Sequence, residues 1–139
     1  MPQISLSSEA VITKYTNASV SAAIPQAQAV SSNGSGLLVP LDVSSLASVN
    51  NMVGYALSRI PASASGSIIS NGRLLNFTTS FAIGTPLWVD TNGNPTNIAP
   101  SIGVNGFSSG DYVIFCGVVV ANAVSGADIA LFTQITGTL

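Results

Sequence analysis

The residues able to do chemistry are few in this sequence. It has no histidine, three cations (Lys14, Arg59, Arg73), one cysteine (Cys116) and five carboxylates (Glu9, Asp42, Asp90, Asp111, Asp128). A hydroxyl or thiol nucleophile needs a positioned base, and without histidine that base must be Lys14 or a carboxylate. Nothing in the sequence around Lys14 would depress its pKa, so a Ser–Lys pair is not expected. Asp90 and Asp111 are the candidate pair for glycoside hydrolysis, which places two carboxyl groups across a sugar bond. Both fall at strand–turn junctions, where Asp accepts hydrogen bonds from its own turn, and that reading takes precedence. Asp90, Asn92 and Asn94 alternate as calcium ligands do. Calcium takes six or more oxygens, however, and here Pro95 follows with no glutamate downstream. The sequence therefore predicts no catalytic residue, no cofactor and no metal.

The remaining polar motifs read the same way. Asn17-Ala18-Ser19 and Asn76-Phe77-Thr78 match the glycosylation sequon, as chance matches do in a chain this rich in Asn, Ser and Thr. Cys116 lies in the most apolar run and is expected as a buried, inert thiol. A lone cysteine permits no internal disulfide and no thiolate zinc site. Trp88, Tyr15, Tyr55 and Tyr112 are the residues that would line a sugar-binding groove; the competing role for Trp88 is core or interface packing.

Composition says more than motifs. Only 6% of residues are charged and the net charge is −2, while 47% are hydrophobic; ordinary domains carry about 25% charged residues. About a third of the chain is Ser, Thr, Asn and Gln, so its polar surface is made of hydroxyls and amides. Three cations cannot neutralise a run of phosphates, which argues against nucleic-acid binding. The longest apolar run, Tyr112 to Ala121, is too short to span a bilayer as a helix, so no membrane partner is expected. The start, Met1-Pro2-Gln3-Ile4-Ser5-Leu6, has neither a basic nor an apolar signal-peptide region. High hydrophobicity at low net charge argues against disorder. A neutral surface offers little repulsion to association, which favours an assembly component over an isolated domain.

Along the chain, residues 1–36 are expected as an extended N-terminal arm, because Tyr15 to Gly36 is charge-free and aperiodic and ends in the connector Ser31-Ser32-Asn33-Gly34-Ser35-Gly36. Strand-like pieces within it are Ala10 to Thr13 and Ala27 to Val30. The competing reading is an edge strand of the same domain. Residues 37–139 are expected as a β core. Its strands are Leu37–Leu41, Met52–Ser58, Gly66–Ser70, Arg73–Thr78, Phe81–Asp90, Tyr112–Ala121 and Ala127–Thr136. Asp42 to Asn51 has room for one helical turn, with Asp42 and Ser44 as caps. Asn71-Gly72 between two apolar runs predicts a type I′ hairpin. Short strands with frequent turn signals imply an all-β fold, a small β-barrel or jelly-roll-like sandwich.

One stretch carries a family likeness. Gly66 to Arg73, Thr79 to Asp90, Gly93 to Pro100, Ile102 to Phe107, Gly110 to Phe115 and Gly117 to Val119, preceded by Val39-Pro40-Leu41-Asp42 and Val53-Gly54-Tyr55-Ala56-Leu57, resemble the small decoration (cement, or head-fibre base) proteins of tailed-bacteriophage capsids. The likeness covers residues 37–139 and consists of turn and strand patterns without a catalytic signature. It implies a compact, non-enzymatic β protein on the outer surface of the virion. Its partners would be the major capsid protein and further copies of itself, as a homodimer or homotrimer, clamping neighbouring capsid subunits.

On that reading the contacts with capsid or sister subunit are the arm's apolar residues, Ile4, Leu6, Val11, Ile12, Val20 and Ile24. Deleting residues 1–30 is then expected to abolish capsid occupancy and leave a folded core. The alternative function is a carbohydrate-binding or adhesin module of a head or tail fibre, with Trp88 and Tyr112 as stacking platforms. A small β-barrel hydrolase is the third, opposed by the missing histidine and the lack of a dyad.

Overall fold

The computed structural model of the chain describes residues 11–74, 81–121 and 127–139. Among the described residues, nine strands and one short helix follow one another as β1 (Val11–Thr16), β2 (Ala29–Ser32), β3 (Leu38–Pro40), α1 (Leu46–Asn50), β4 (Met52–Ala56), β5 (Ser65–Leu74), β6 (Pro86–Val89), β7 (Pro95–Thr96), β8 (Tyr112–Ala121) and β9 (Ala127–Thr138). They form one antiparallel sheet in the order β3-β2-β4-β5-β9-β8-β6-β7, with β1 added beside β5. The sheet curls into a half-barrel, so the fold is all-β, of the small barrel or sandwich kind.

β5 organises the curl. Ile68 and Ile69 pair with Thr13 and Ile12 of β1 on one edge and with Ala56 and Tyr55 of β4 on the other. From Gly72 onward the strand pairs instead with β9 (Gly72 with Leu131, Leu74 with Ile129). The expected hairpin at Asn71-Gly72 does not form. A type I′ turn needs positive φ at both residues, yet only Gly72 is positive, at 133°. Partners on both sides hold the chain extended, and the glycine marks the bend where β5 changes neighbours. The part of Arg73–Thr78 beyond Leu74, including the sequon at Asn76, and the turn expected at Asn122–Gly126 lie outside the described residues.

Alternation divides the sheet's side chains between two clusters. On the inner face Ala29, Tyr55, Ile69, Leu87, Val89, Ile114, Cys116, Val119, Ile129 and Leu131 form the main core. Behind the first half of the sheet, Val30, Leu38, Ala56 and Ile68 pack with Ile24 and Ile60, which close a second, smaller core. The two ends of the sheet are tied together where the Ala29 amide donates to the Gly93 carbonyl at 2.7 Å and the Tyr112 amide to Val43 at 2.8 Å.

The arm expected over residues 1–36 is corrected from residue 11 onward: this part of the chain is woven into the core. β1 and β2 belong to the sheet, Ala27, Ala29 and Val30 are fully buried, and Ile24 is only 2% exposed. Low charge and missing periodicity here reflect short strands and tight turns buried by both cores. Residues 1–10 lie outside the described residues. The single helical turn forms within the expected segment, though its cap is Ser45, whose Oγ accepts the Ser48 amide. Asp42 instead accepts the Ser44 amide and hydroxyl. Among the described residues no helix is long and apolar enough to cross a membrane.

Candidate functional site

The carboxylates singled out by sequence are committed to turns. Asp90 Oδ1 accepts the amides of Asn92 and Asn94 at 2.8 and 2.9 Å, and Asp111 Oδ2 accepts the Ser108 amide at 2.9 Å. Both arrangements shape a loop by satisfying its backbone donors. The Asn92 carbonyl takes a bond from the Gln28 side chain, so the 90–94 loop is bound to the chain just before β2. Among the described residues, no three His, Cys, Asp or Glu side chains gather as a metal would require. Lys14 stands exposed on β1. Asp128 is buried and pairs with Arg73 at 3.7 Å.

Asn17 turns from a sequon into a structural residue. Its side chain is buried, and its amide nitrogen donates to Ala22 O, Ile60 O and Pro61 O at 2.9, 3.3 and 3.3 Å. It thereby fixes the segment carrying Ile24 over the second core.

The aromatic residues expected to line one groove are scattered. Tyr55 is wholly buried in the inner core, Tyr112 packs at the edge of that same core, and Tyr15 packs against the second core. Trp88 alternates with the inward-facing Leu87 and Val89 and therefore faces outward. Its ring neighbour is Phe115 across the β6–β8 pair, at 5.8 Å and a 45° tilt; Phe132 on β9 meets Phe115 edge-on at 5.1 Å and 83°. The three rings are half-buried against one another. Their mutual tilts present no common flat face of the kind a sugar ring stacks on. Trp88 and Tyr112 thus do not come together, while Phe115 and Phe132, unselected from sequence, do join Trp88. The signal for them was the cross-strand register, which the sequence alone does not supply.

Of the expected arm contacts, Ile24 is corrected to a core residue: its backbone pairs with Ile60 in both directions, at 2.9 and 2.8 Å. Ile12 is 50% and Val20 85% exposed, so both are open to a partner. Val11 lies on β1, and Ile4 and Leu6 lie outside the described residues.

A further apolar surface lies on the segment between β7 and β8. Ile98, Ile102 and Val104 project into solvent, Ile102 at 62% exposure. The loop is held by its own backbone: the Gly103 amide donates to Phe107 O, Val104 to Ser101 O and Phe107 to Val104 O, at 2.9 to 3.1 Å. Asn105 and Gly106 both take positive φ, 52° and 84°, the pattern of a type I′ turn. Thr91 Oγ1 donates to Asn105 O, and Phe107 plugs the base of the loop into the main core. No charge occurs between Asp90 and Asp111. The arrangement can hold apolar side chains out toward a neighbour with little ordering left to do; it offers nothing that moves a proton or a bond. Comparison with protein-family models and with curated proteins finds no match for this chain.

Proposed function

We propose that this protein is a non-enzymatic structural component that docks onto a larger protein assembly, and specifically a decoration protein on the outer surface of a tailed-phage head. The observation that carries the reading is the 97–106 loop, a hydrogen-bonded apolar tip on an almost charge-free molecule. Among the described residues only Lys14, Asp42, Arg59 and Arg73 are charged and exposed. An apolar tip on a neutral surface favours burial against other polypeptides over solitary life in water. The likeness of residues 37–139 to capsid-decoration proteins chooses the assembly.

In this reading Ile98, Ile102, Val104 and Val20 contact the major capsid protein, and neighbouring copies cooperate in clamping capsid subunits. Removal of residues 1–30 does not test the contact, since it also removes β1, Ile24 and Ala29 from the two cores. The direct test is co-sedimentation of the intact chain with purified, assembled tailed-phage heads, beside a triple variant Ile98→Ser, Ile102→Ser, Val104→Ser. Stoichiometric decoration lost at least tenfold in the variant is the expected result. Full decoration by the variant rejects the loop as the contact, and no decoration by the intact chain from the encoding phage rejects the capsid reading.

A further inference from the structure

Four Asn-Gly pairs occur in the sequence, at 33–34, 71–72, 92–93 and 105–106. Each carries a latent reaction. The glycine amide nitrogen attacks the asparagine Cγ, a C–N bond forms, and ammonia leaves. Water then opens the resulting five-membered imide at either carbonyl, giving aspartate or isoaspartate with one new negative charge. Glycine favours the attack because it has no Cβ to shield its nitrogen or to restrict the chain. A fold that holds either the carboxamide or the amide in place opposes it.

The structure holds three of the four pairs. Asn33 Oδ1 accepts the amides of Ser35 and Leu37 at 2.8 and 3.0 Å, which commits its carboxamide to the turn. Asn71 and Gly72 lie within β5, paired with Val11 on β1 and Leu131 on β9. The Gly93 amide already donates to Asp90 O at 3.0 Å, and Gly93 is buried beside the Ala29 carbonyl and the Gln28 side chain.

Asn105-Gly106 lacks these restraints. Both residues are exposed at the tip of the 97–106 loop. Among the described residues, none hydrogen-bonds the Asn105 carboxamide or the Gly106 amide. What fixes the turn is the Phe107 amide on Val104 O and the Thr91 hydroxyl on Asn105 O, each at 3.0 Å. Opening these two bonds disturbs no strand, and exposed turns open at lower free energy than paired strands do. Asn105 also stands at φ 52°, in the left-handed region that side chains seldom occupy, so opening relieves the backbone.

We infer that Asn105 is a site of spontaneous deamidation, at which the chain converts its own apolar tip into a charged one. The new carboxylate falls beside Val104, in a segment with no charge from Thr91 to Gly110. Burying an unpaired carboxylate is costly. Modified copies therefore lose the contact proposed for this loop, and copies already docked are shielded from the reaction. That consequence rests on the docking reading; the reaction itself does not.

The experiment follows all four asparagines by peptide mass mapping in the intact folded chain and in the urea-unfolded chain, both held at pH 8 without capsids. In the unfolded chain the four are expected to react at comparable rates. Folding is expected to slow Asn33, Asn71 and Asn92 at least about tenfold relative to Asn105. Asn105→Asp is expected to leave a hydrophobic-interaction column earlier than the parent, together with the fraction that accumulates as the parent ages. Protection of Asn105 by folding as strong as that of the other three overturns the proposal, as does unchanged retention of Asn105→Asp. Failure of the fresh chain to decorate phage heads rejects the capsid reading alone and leaves the mass result standing.

Discussion

The Tyr55 hydroxyl on β4 donates to the carbonyl of Phe132 on β9 at 2.8 Å, reaching from one half of the curled sheet to the other. Burial holds its phenol far above the ordinary tyrosine value, with Cys116 adding to the effect, so the hydroxyl stays a donor. Removing it in Tyr55→Phe keeps the ring's packing and leaves the carbonyl without this partner. The expected loss is about 1–2 kcal/mol. In urea unfolding this lowers the midpoint with the slope unchanged; an unaltered midpoint would mean that the two halves are joined by packing alone.

Asn17 fixes the cover of the second core through the carbonyls of Ala22, Ile60 and Pro61. Asn17→Ala takes one donor from the Ile60 and Pro61 carbonyls, which keep the Ile24 and Ala64 amides, and removes the side-chain donor to Ala22 O, at a cost of about 1 kcal/mol. Because Ile24 and Ile60 sit directly beneath, the loss is expected to come with faster hydrogen exchange at their mutually bonded amides. The buried amide also predicts that Asn17 stays unmodified when the chain is expressed in a glycosylating host, which mass spectrometry of the peptide checks.

Much of the fold was legible in the sequence because it rests on local signals. The strands at Leu38–Pro40, Met52–Ala56, Tyr112–Ala121 and Ala127–Thr138 follow from β-branched content and alternation, and the buried Cys116 from its apolar run. Asn71-Gly72 misled because a dipeptide carries the same turn signal wherever it stands, while strands distant in sequence decided that it would be extended. Asn105-Gly106 did form a tight turn, free of such partners. Residues 11–36 misled for a related reason: a strand of four to six residues has too few alternations to show a period, and β1's partner Ile68 and β2's partner Tyr55 lie far along the chain. The outward row of Trp88, Phe115 and Phe132 depends on a register that shifts between Leu87 and Trp88 and again between Phe115 and Gly117. No residue type announces such irregularities. The exposed Ile102 and Val104 did have a signal, being apolar residues isolated among Gly, Ser and Asn.

Asp42 gives a pH dependence with a definite sign. Its carboxyl lies below the ordinary value of 3.8, first because the Ser44 hydroxyl bonds it and second because the Ser44 amide does. A lowered folded-state value contributes stability above pH 3.8, lost as the pH falls through the folded value. The group is nearly fully exposed, so screening by solvent keeps the effect under about 1 kcal/mol. Asp42→Ala is therefore expected to melt slightly below the parent at pH 7, and the gap is expected to close as melting is repeated at pH values descending from 4 to 2. A gap that persists at pH 2 would assign the difference to lost packing or backbone effects.

Cys116 gives the opposite sign. Its thiol is pushed up to about 12, chiefly by burial in the main core, with the Asp90 carboxylate adding to the rise. Its neighbour Gly117 lies against the Ala130 backbone so closely that a Cβ there would collide with it, which leaves little room for an incoming reagent. The folded chain at pH 8 is thus expected to resist a thiol-reactive disulfide that labels the urea-unfolded chain completely. Linkage gives the second half of the prediction. The folded-state thiol holds its proton above the ordinary value of 9.0 while the unfolded chain releases it, so stability is full below pH 9 and falls as the pH rises toward 12. Cys116→Ala takes away that part of the alkaline loss at the expense of a small cavity. Its stability should consequently be lower than the parent's at pH 7 and decline less steeply between pH 9 and 11. Equal slopes for the two proteins in that window, or rapid labelling of the folded parent at pH 8, would show that the thiol is open to water.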